Sequence, residues 1–216
     1  MTVVITGANR GIGQALFQGY AARGETVFGT HRAPDAGQML QLDVTDPASQ
    51  RGLATRLKGQ PVDLLVCNAG VYLDKGEKLE NGYPAQLWAD TFAANVTGVF
   101  MTVQSLLSYL RASDGAKVAI ISSQMASHTR APGGSYIYRA SKAAALNLGR
   151  NLASDLQRDG IAVGVYHPGW VQTDMGGQSA EITVAESGAG LMDRFDALNL
   201  ETTGCFETWD GRPHPF

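Results

Sequence analysis

"TGANRGIG", from Thr6 to Gly13, decides the reading of the fold. A β-branched run, "TVVIT" from Thr2, leads into it, and a helical pattern from Ile12 to Arg23 leads out. Gly7, Gly11 and Gly13 permit a tight turn and let the backbone approach a pyrophosphate, whose charge is favoured at the N-terminus of the following helix. Elsewhere these glycines would make only a loop; between a strand and a helix they make a nucleotide-binding loop, with Asn9, Arg10 and Ile12 at its mouth.

The rest of the chain repeats that strand-to-helix alternation. "TVFGT", "MLQLDV", "VDLLVC", "KVAIIS" and "IAVGVY" read as further strands, most of them apolar throughout, so they are buried on both faces. Pro47 to Leu57, Gln86 to Arg111 and Tyr136 to Arg158 read as helices, and another begins near Val184. The series predicts one α/β domain over residues 1–216, doubly wound in the Rossmann manner, with a mostly parallel sheet flanked by helices. Only Ala33 to Gln38 separates the second strand from the third, so the crossover there is trimmed, with the two strands still neighbours. Two apolar stripes face the sheet: Phe92, Val96, Val99, Val103, Leu106 and Leu110, then Ala145, Leu148, Leu152 and Leu156. "CFETWDG" reads as a last strand and a turn, with Trp209 as packing.

Bulk properties narrow the function. The chain has 216 residues, a net charge of −3 and a pI near 5.8, which gives no basic field for nucleic acid or an anionic membrane surface. No apolar run is long enough to span a bilayer, and the first strand leaves no room for a signal peptide, so the expected location is the cytoplasm and the expected partner a small molecule. Cys67 and Cys205 read as two buried thiols rather than a disulfide, and the histidines show no ligand spacing, so no metal is expected.

"GGSYIYRASKAAALNLG" places two tyrosines ahead of Lys142. Residues four apart share a helix face and residues six apart do not, so Tyr138 meets Lys142 and Tyr136 does not. A neighbouring ammonium favours the phenolate, and such a pair exchanges a proton with a carbonyl. "IISS" closes a strand at Ser122 and Ser123, the end where doubly wound folds bind ligands; Ser122 alternates to the other face, so Ser123 is the candidate. Asn95 lies inside a long helical stretch, where an inward-bonding amide opens the helical ladder.

Taken together, T-G-x-x-x-G-x-G, "CNAG", "SS", Y-x-x-x-K and "HPGWVQTDM" resemble the short-chain dehydrogenase/reductase family over nearly the whole chain. The wording is most similar to the small C-factor-like and sniffer-like carbonyl reductases. The resemblance implies a tetrad of Asn95, Ser123, Tyr138 and Lys142: Ser123 bonds the substrate carbonyl, Tyr138 delivers the proton, Lys142 also holds the nicotinamide ribose, and Asn95 holds a water. It places Asp43 and Val44 beside the adenine, Asn68, Ala69 and Gly70 in the turn after the fourth strand, and Pro168, Gly169, Val171 and Thr173 along the nicotinamide. Cys67 replaces the first asparagine of the family's N-N-A-G, a departure that touches only a structural hydrogen bond.

The second strand ends Thr30, His31, Arg32, with no carboxylate to repel a 2′-phosphate and an arginine to pair with one; Arg10 could close on the same group. NADP(H) is therefore the expected cofactor. The expected activity is reduction of a small aldehyde or ketone, or the reverse oxidation of an alcohol, with a homodimer or homotetramer implied by the family. The rival is a nucleotide-binding signalling protein of the C-factor type without turnover, which leaves the tetrad unexplained. Six residues separate "TDMGG" from the next helix, so the lid is small and the pocket open. His128 and Arg130 read as solvated loop residues, and Tyr136 as either pocket wall or packing.

Overall fold

The computed structural model describes residues 1–33 and 39–216. Seven strands form one sheet in the order β3-β2-β1-β4-β5-β6-β7, and every neighbouring pair is parallel. They are β1 (Thr2–Ile5), β2 (Thr26–His31), β3 (Leu40–Gln41), β4 (Leu64–Cys67), β5 (Lys117–Ile121), β6 (Ala162–His167) and β7 (Phe206–Thr208). The helices are α1 (Gly11–Ala22), α2 (Pro47–Arg56), α3 (Ala85–Phe92), α4 (Gly98–Arg111), α5 (Tyr136–Leu156) and α6 (Val184–Ala197).

The continuous apolar strands are explained by what covers each face. Successive side chains alternate, so Leu64 and Val66 of β4 join Leu16 and Tyr20 of α1 and Leu191 and Phe195 of α6 in one core. Leu65 and Cys67 join Leu53 of α2, Leu106 and Leu110 of α4, and Leu146 of α5 in the other. All residues of β4 and β6 are buried, as a strand between two helical layers must be.

The observed elements refine several expectations. "MLQLDV" keeps only two residues of pairing, Leu40 and Gln41, although β2 and β3 do lie side by side; of the trimmed crossover, 34–38 fall outside the described residues. In the second stripe, Leu148 and Leu152 are half-buried at the edge, and the sheet-facing positions are Ala145, Leu146, Gly149, Ala153 and Leu156. Gly149 shows why: a Cβ there would lie 2.5 Å from Val165 Cγ2, so α5 rides too low over β6 for large side chains along its midline. Phe92 and Val96 are likewise only half-buried, whereas Val99, Val103, Leu106 and Leu110 are core. Cys205 is half-buried in the turn before β7 rather than in a strand. Trp209 packs against the core, its ring edge close behind Gly169 and Gly190.

Leu106 is fully buried between α4 and the sheet. Leu106→Ala should lower unfolding free energy by about 3 kcal/mol without changing the denaturant slope; a loss below about 1 kcal/mol in urea titration would mean the site collapses around the gap.

Candidate active site

The order of the sheet reverses between β1 and β4, and the turns that leave these two strands are bonded to each other. Asn68 Nδ2 donates to the carbonyls of Thr6 at 2.9 Å and Gly7 at 3.0 Å. Thr6 Oγ1 accepts from the amides of Asn68 at 3.0 Å and Ala69 at 2.9 Å. Gly7 and Gly11 take φ of 65° and 52°, the left-handed region that glycine enters freely. A Cβ on Gly13 would lie 2.2 Å from Gly7 O, so α1 starts directly against the turn.

A cleft of about 710 Å³ opens from this crossing over the C-terminal edge of the sheet. Of the residues expected to hold a dinucleotide, the structure brings to it Gly7, Asn9, Arg10, Gly11, Ile12 and Gly13 from the loop. Arg32, Asp43 and Val44 line one end; Asn68, Ala69, Gly70, Tyr138, Lys142, Pro168 and Thr173 line the rest. Gly169 and Val171 are not on its wall. Gly169 backs onto Ile182 and Trp209, and Val171, 4% exposed, bridges to Ile182. His31, Gln172, Asp174 and Met175 are wall residues that the motifs did not single out.

Tyr138 and Lys142 do share a face at the inner end of the cleft: Lys142 Nζ lies 5.7 Å from the centre of the Tyr138 ring and donates to Ile121 O at 2.9 Å. Tyr136 points away, 39% exposed and edge-on to Tyr83 at 5.1 Å. Ser123 Oγ accepts from Met125 N at 3.1 Å, and the serine acts on the Tyr138 phenol in the direction that favours its ionised form. Ser122, which lines the cleft where Ser123 does not, donates to the carbonyl of Lys142 at 3.1 Å. Asn95 sits in a π-helical segment, Ala93–Thr97, between α3 and α4, so the ladder is indeed opened at the amide. Its Oδ1 accepts from Val71 N at 2.8 Å, and its Nδ2 donates to Val71 O at 2.9 Å and Ser141 Oγ at 3.0 Å.

A sequence profile described as short chain dehydrogenase matches residues 1–183 of this chain. The chain belongs to the short-chain dehydrogenase family. Among its relatives, 1-hydroxy-2-glutathionyl-2-methyl-3-butene dehydrogenase of Rhodococcus sp. (strain AD45) is 35% identical, with 97% of each chain covered. The C-signal protein of Myxococcus xanthus is 34% identical over 77% of this chain and 99% of its own. The crystal structure of NADPH-bound carbonyl reductase from chicken fatty liver superposes with a TM-score of 0.92 at 29% identity, covering 100% of this chain and 98% of that one.

Two electrostatic expectations change in this short-chain dehydrogenase. Burial pushes the Tyr138 phenol above its ordinary value and outweighs the opposing effect of Ser123, while Tyr72 and Asp74 push it the same way as burial. Burial also brings Lys142 down to about 8. Arg10 is drawn across the cleft to Asp174 at 2.8 Å, an exposed ion pair that competes with any phosphate for the guanidinium. At Asp43, burial acts upward, but the bonds from Thr45 N and Oγ1 and the charge of Arg32 hold the carboxyl below its usual range.

Sequence reasoning missed Tyr72 and Asp74. Tyr72 stacks on Tyr138 at 4.2 Å, and Asp74 is wholly buried beneath it. Both follow "CNAG" with no spacing signal of their own. His128 and Arg130 are exposed, Arg130 being bonded to Gln124. Among the described residues, no group of three or more His, Cys, Asp or Glu is placed to hold a metal, and no helix is long and apolar enough to cross a membrane.

The buried lysine predicts a pH signature. Its folded pKa of about 8 lies below the free value of 10.5, so the unfolded chain binds more protons between these limits and the Lys142 contribution to stability improves as pH rises through them. Lys142→Met should remove that gain. Parallel stability curves for the two proteins across this window would show that the ammonium is not desolvated.

Proposed function

We propose that this short-chain dehydrogenase is an NADPH-dependent reductase of small aldehydes or ketones. The carrying observation is the cleft itself, which joins the glycine turn and Arg32 at one end to Tyr138 and Lys142 at the other. The cofactor fits what is there. Gly7 and Gly11 in left-handed conformations, with the start of α1 behind them, make an anion cradle, and β2 ends at His31, followed by Arg32, with no carboxylate there. The carbonyl reductase that superposes on the chain was crystallised with NADPH.

In this reading, NADPH supplies a hydride to the carbonyl carbon. Ser123 Oγ donates to the carbonyl oxygen and Tyr138 Oη gives it a proton as negative charge develops there. Lys142, held near pKa 8, also binds the nicotinamide ribose and restores the proton to Tyr138 from solvent. Asn95, bonded to Val71 and Ser141, keeps the β4 turn and α5 in register, and the second lone pair of its Oδ1 is left to hold the water of that relay. Cofactor and substrate thus share one domain. We place the protein in the cytoplasm as a homodimer or homotetramer, joined through the outer faces of α3 to α5, where Trp88 and Phe100 are exposed. A light-scattering mass of one chain would overturn the assembly.

NADPH oxidation against a panel of aldehydes, ketones and quinones tests the activity. Tyr138→Phe should lose at least about a hundredfold in kcat and Tyr136→Phe should stay close to wild type. NADPH should exceed NADH in kcat/KM, and Arg32→Ala should narrow the gap; equal values in the wild type would sink the cofactor assignment. Tight NADPH binding with no carbonyl reduced would favour nucleotide binding without turnover, the reading to which likeness to a protein called C-signal lends weight.

A further inference from the structure

Helix α5 carries Tyr138, yet none of its own residues caps it. Gly133, Gly134 and Ser135 enter it with φ of 84°, 68° and 47°, and the Ser135 side chain makes no capping bond. The cap comes from the segment after β4. Asp74 Oδ2 accepts from Ile137 N at 2.9 Å, and its two oxygens accept from Tyr138 N at 3.2 and 3.3 Å. The same segment is fixed at Val71 by Asn95, and at Tyr72 by the ring stack on Tyr138 and a bond to Ser135 Oγ.

Asp74 is 0% exposed, and no salt bridge among the described residues reaches it. A neutral serine or asparagine caps a helix about as well as aspartate, and burying a charge without a cation is far more costly than burying a neutral acceptor. The carboxylate therefore has a consequence beyond capping, and the phenol it acts on is that of Tyr138, the third residue of the helix, whose own amide it binds. The groups facing Tyr138 are Ser123 from the end of β5, Tyr72 and Asp74 from the loop after β4, and Lys142 from its own helix. Asp74 is the acidic side chain of the set and Lys142 the basic one.

We propose that Asp74 is a positioning residue for Tyr138: its buried carboxylate clamps the first turn of α5 and, by its charge, keeps the proton on the phenol, which biases the site toward carbonyl reduction. This rests on the reading of Tyr138 as the proton donor. Reduction needs the protonated phenol and alcohol oxidation the phenolate, so an anion beside it widens the pH range of the first reaction and narrows that of the second.

Asp74→Asn retains the shape and one acceptor but removes the charge; Asp74→Ser serves the same purpose if the amide variant does not fold. The alkaline limb of the pH profile for carbonyl reduction should move down by about one pH unit, with kcat about tenfold lower and KM for NADPH little changed. Fluorine NMR of protein carrying a fluorinated tyrosine that ionises closer to neutrality reads the same coupling without turnover. The Tyr138 resonance, identified by its loss in Tyr138→Phe, should titrate at lower pH in Asp74→Asn. A variant that melts earlier but keeps the wild-type alkaline limb and Tyr138 titration overturns the proposal and leaves Asp74 a helix cap. If Tyr138 titration moves with Asp74 while the wild type reduces no carbonyl, the reductase reading fails and the coupling stands.

Discussion

The cleft depends on one steric constraint, the contact between the start of α1 and the turn after β1. Because a Cβ on Gly13 would lie only 2.2 Å from Gly7 O, only glycine lets the helix end reach the turn, which Asn68 bonds from the end of β4. Three chain segments then meet at the point where the sheet order reverses. Turns leaving neighbouring strands on opposite faces must diverge there, and the space between them is the cleft.

A second region of close packing sets the other end. Gly149 lets α5 lie against Val165 of β6, which fixes the height of the helix above the sheet. Ser122 bonds the carbonyl of Lys142 and Lys142 bonds the carbonyl of Ile121, so the helix is tied to the end of β5 one turn from Tyr138. Asn95 completes the frame by bonding both Val71 and Ser141 from an opened turn of helix. A helix interior that loses regular bonding in this way is stable only where side chains take over the freed groups.

The two ionisable groups at this end are governed by burial more than by each other. Desolvation moves a phenol up and an ammonium down, which holds both in their neutral forms over a wider range than solvent would. Lys142 is left poised near neutrality. Contacts that spacing cannot show, the Tyr72 stack and the Asp74 carboxylate, sit on the same phenol.

The strand and helix order, the parallel sheet and the glycine turn were legible in the sequence because local pattern carries them: apolar runs buried on both faces, periodic helices, and glycines placed between a strand and a helix. The pairing of Tyr138 rather than Tyr136 with Lys142 followed from helix geometry alone. Other features needed the folded chain. Leu148 and Leu152 yielded the sheet-facing positions to Ala145, Gly149 and Ala153 because interhelical height is a tertiary quantity. Arg10 took Asp174 as partner across 164 residues, and Asp74 reached the amides of Ile137 and Tyr138 across 63 and 64. The direction in which Tyr138 is shifted was decided by how much water the fold excludes from it, which no local spacing encodes. Periodicity and turn chemistry act within a few residues and so can be read from sequence; desolvation and long-range contacts depend on which surfaces meet, and only the tertiary structure decides that.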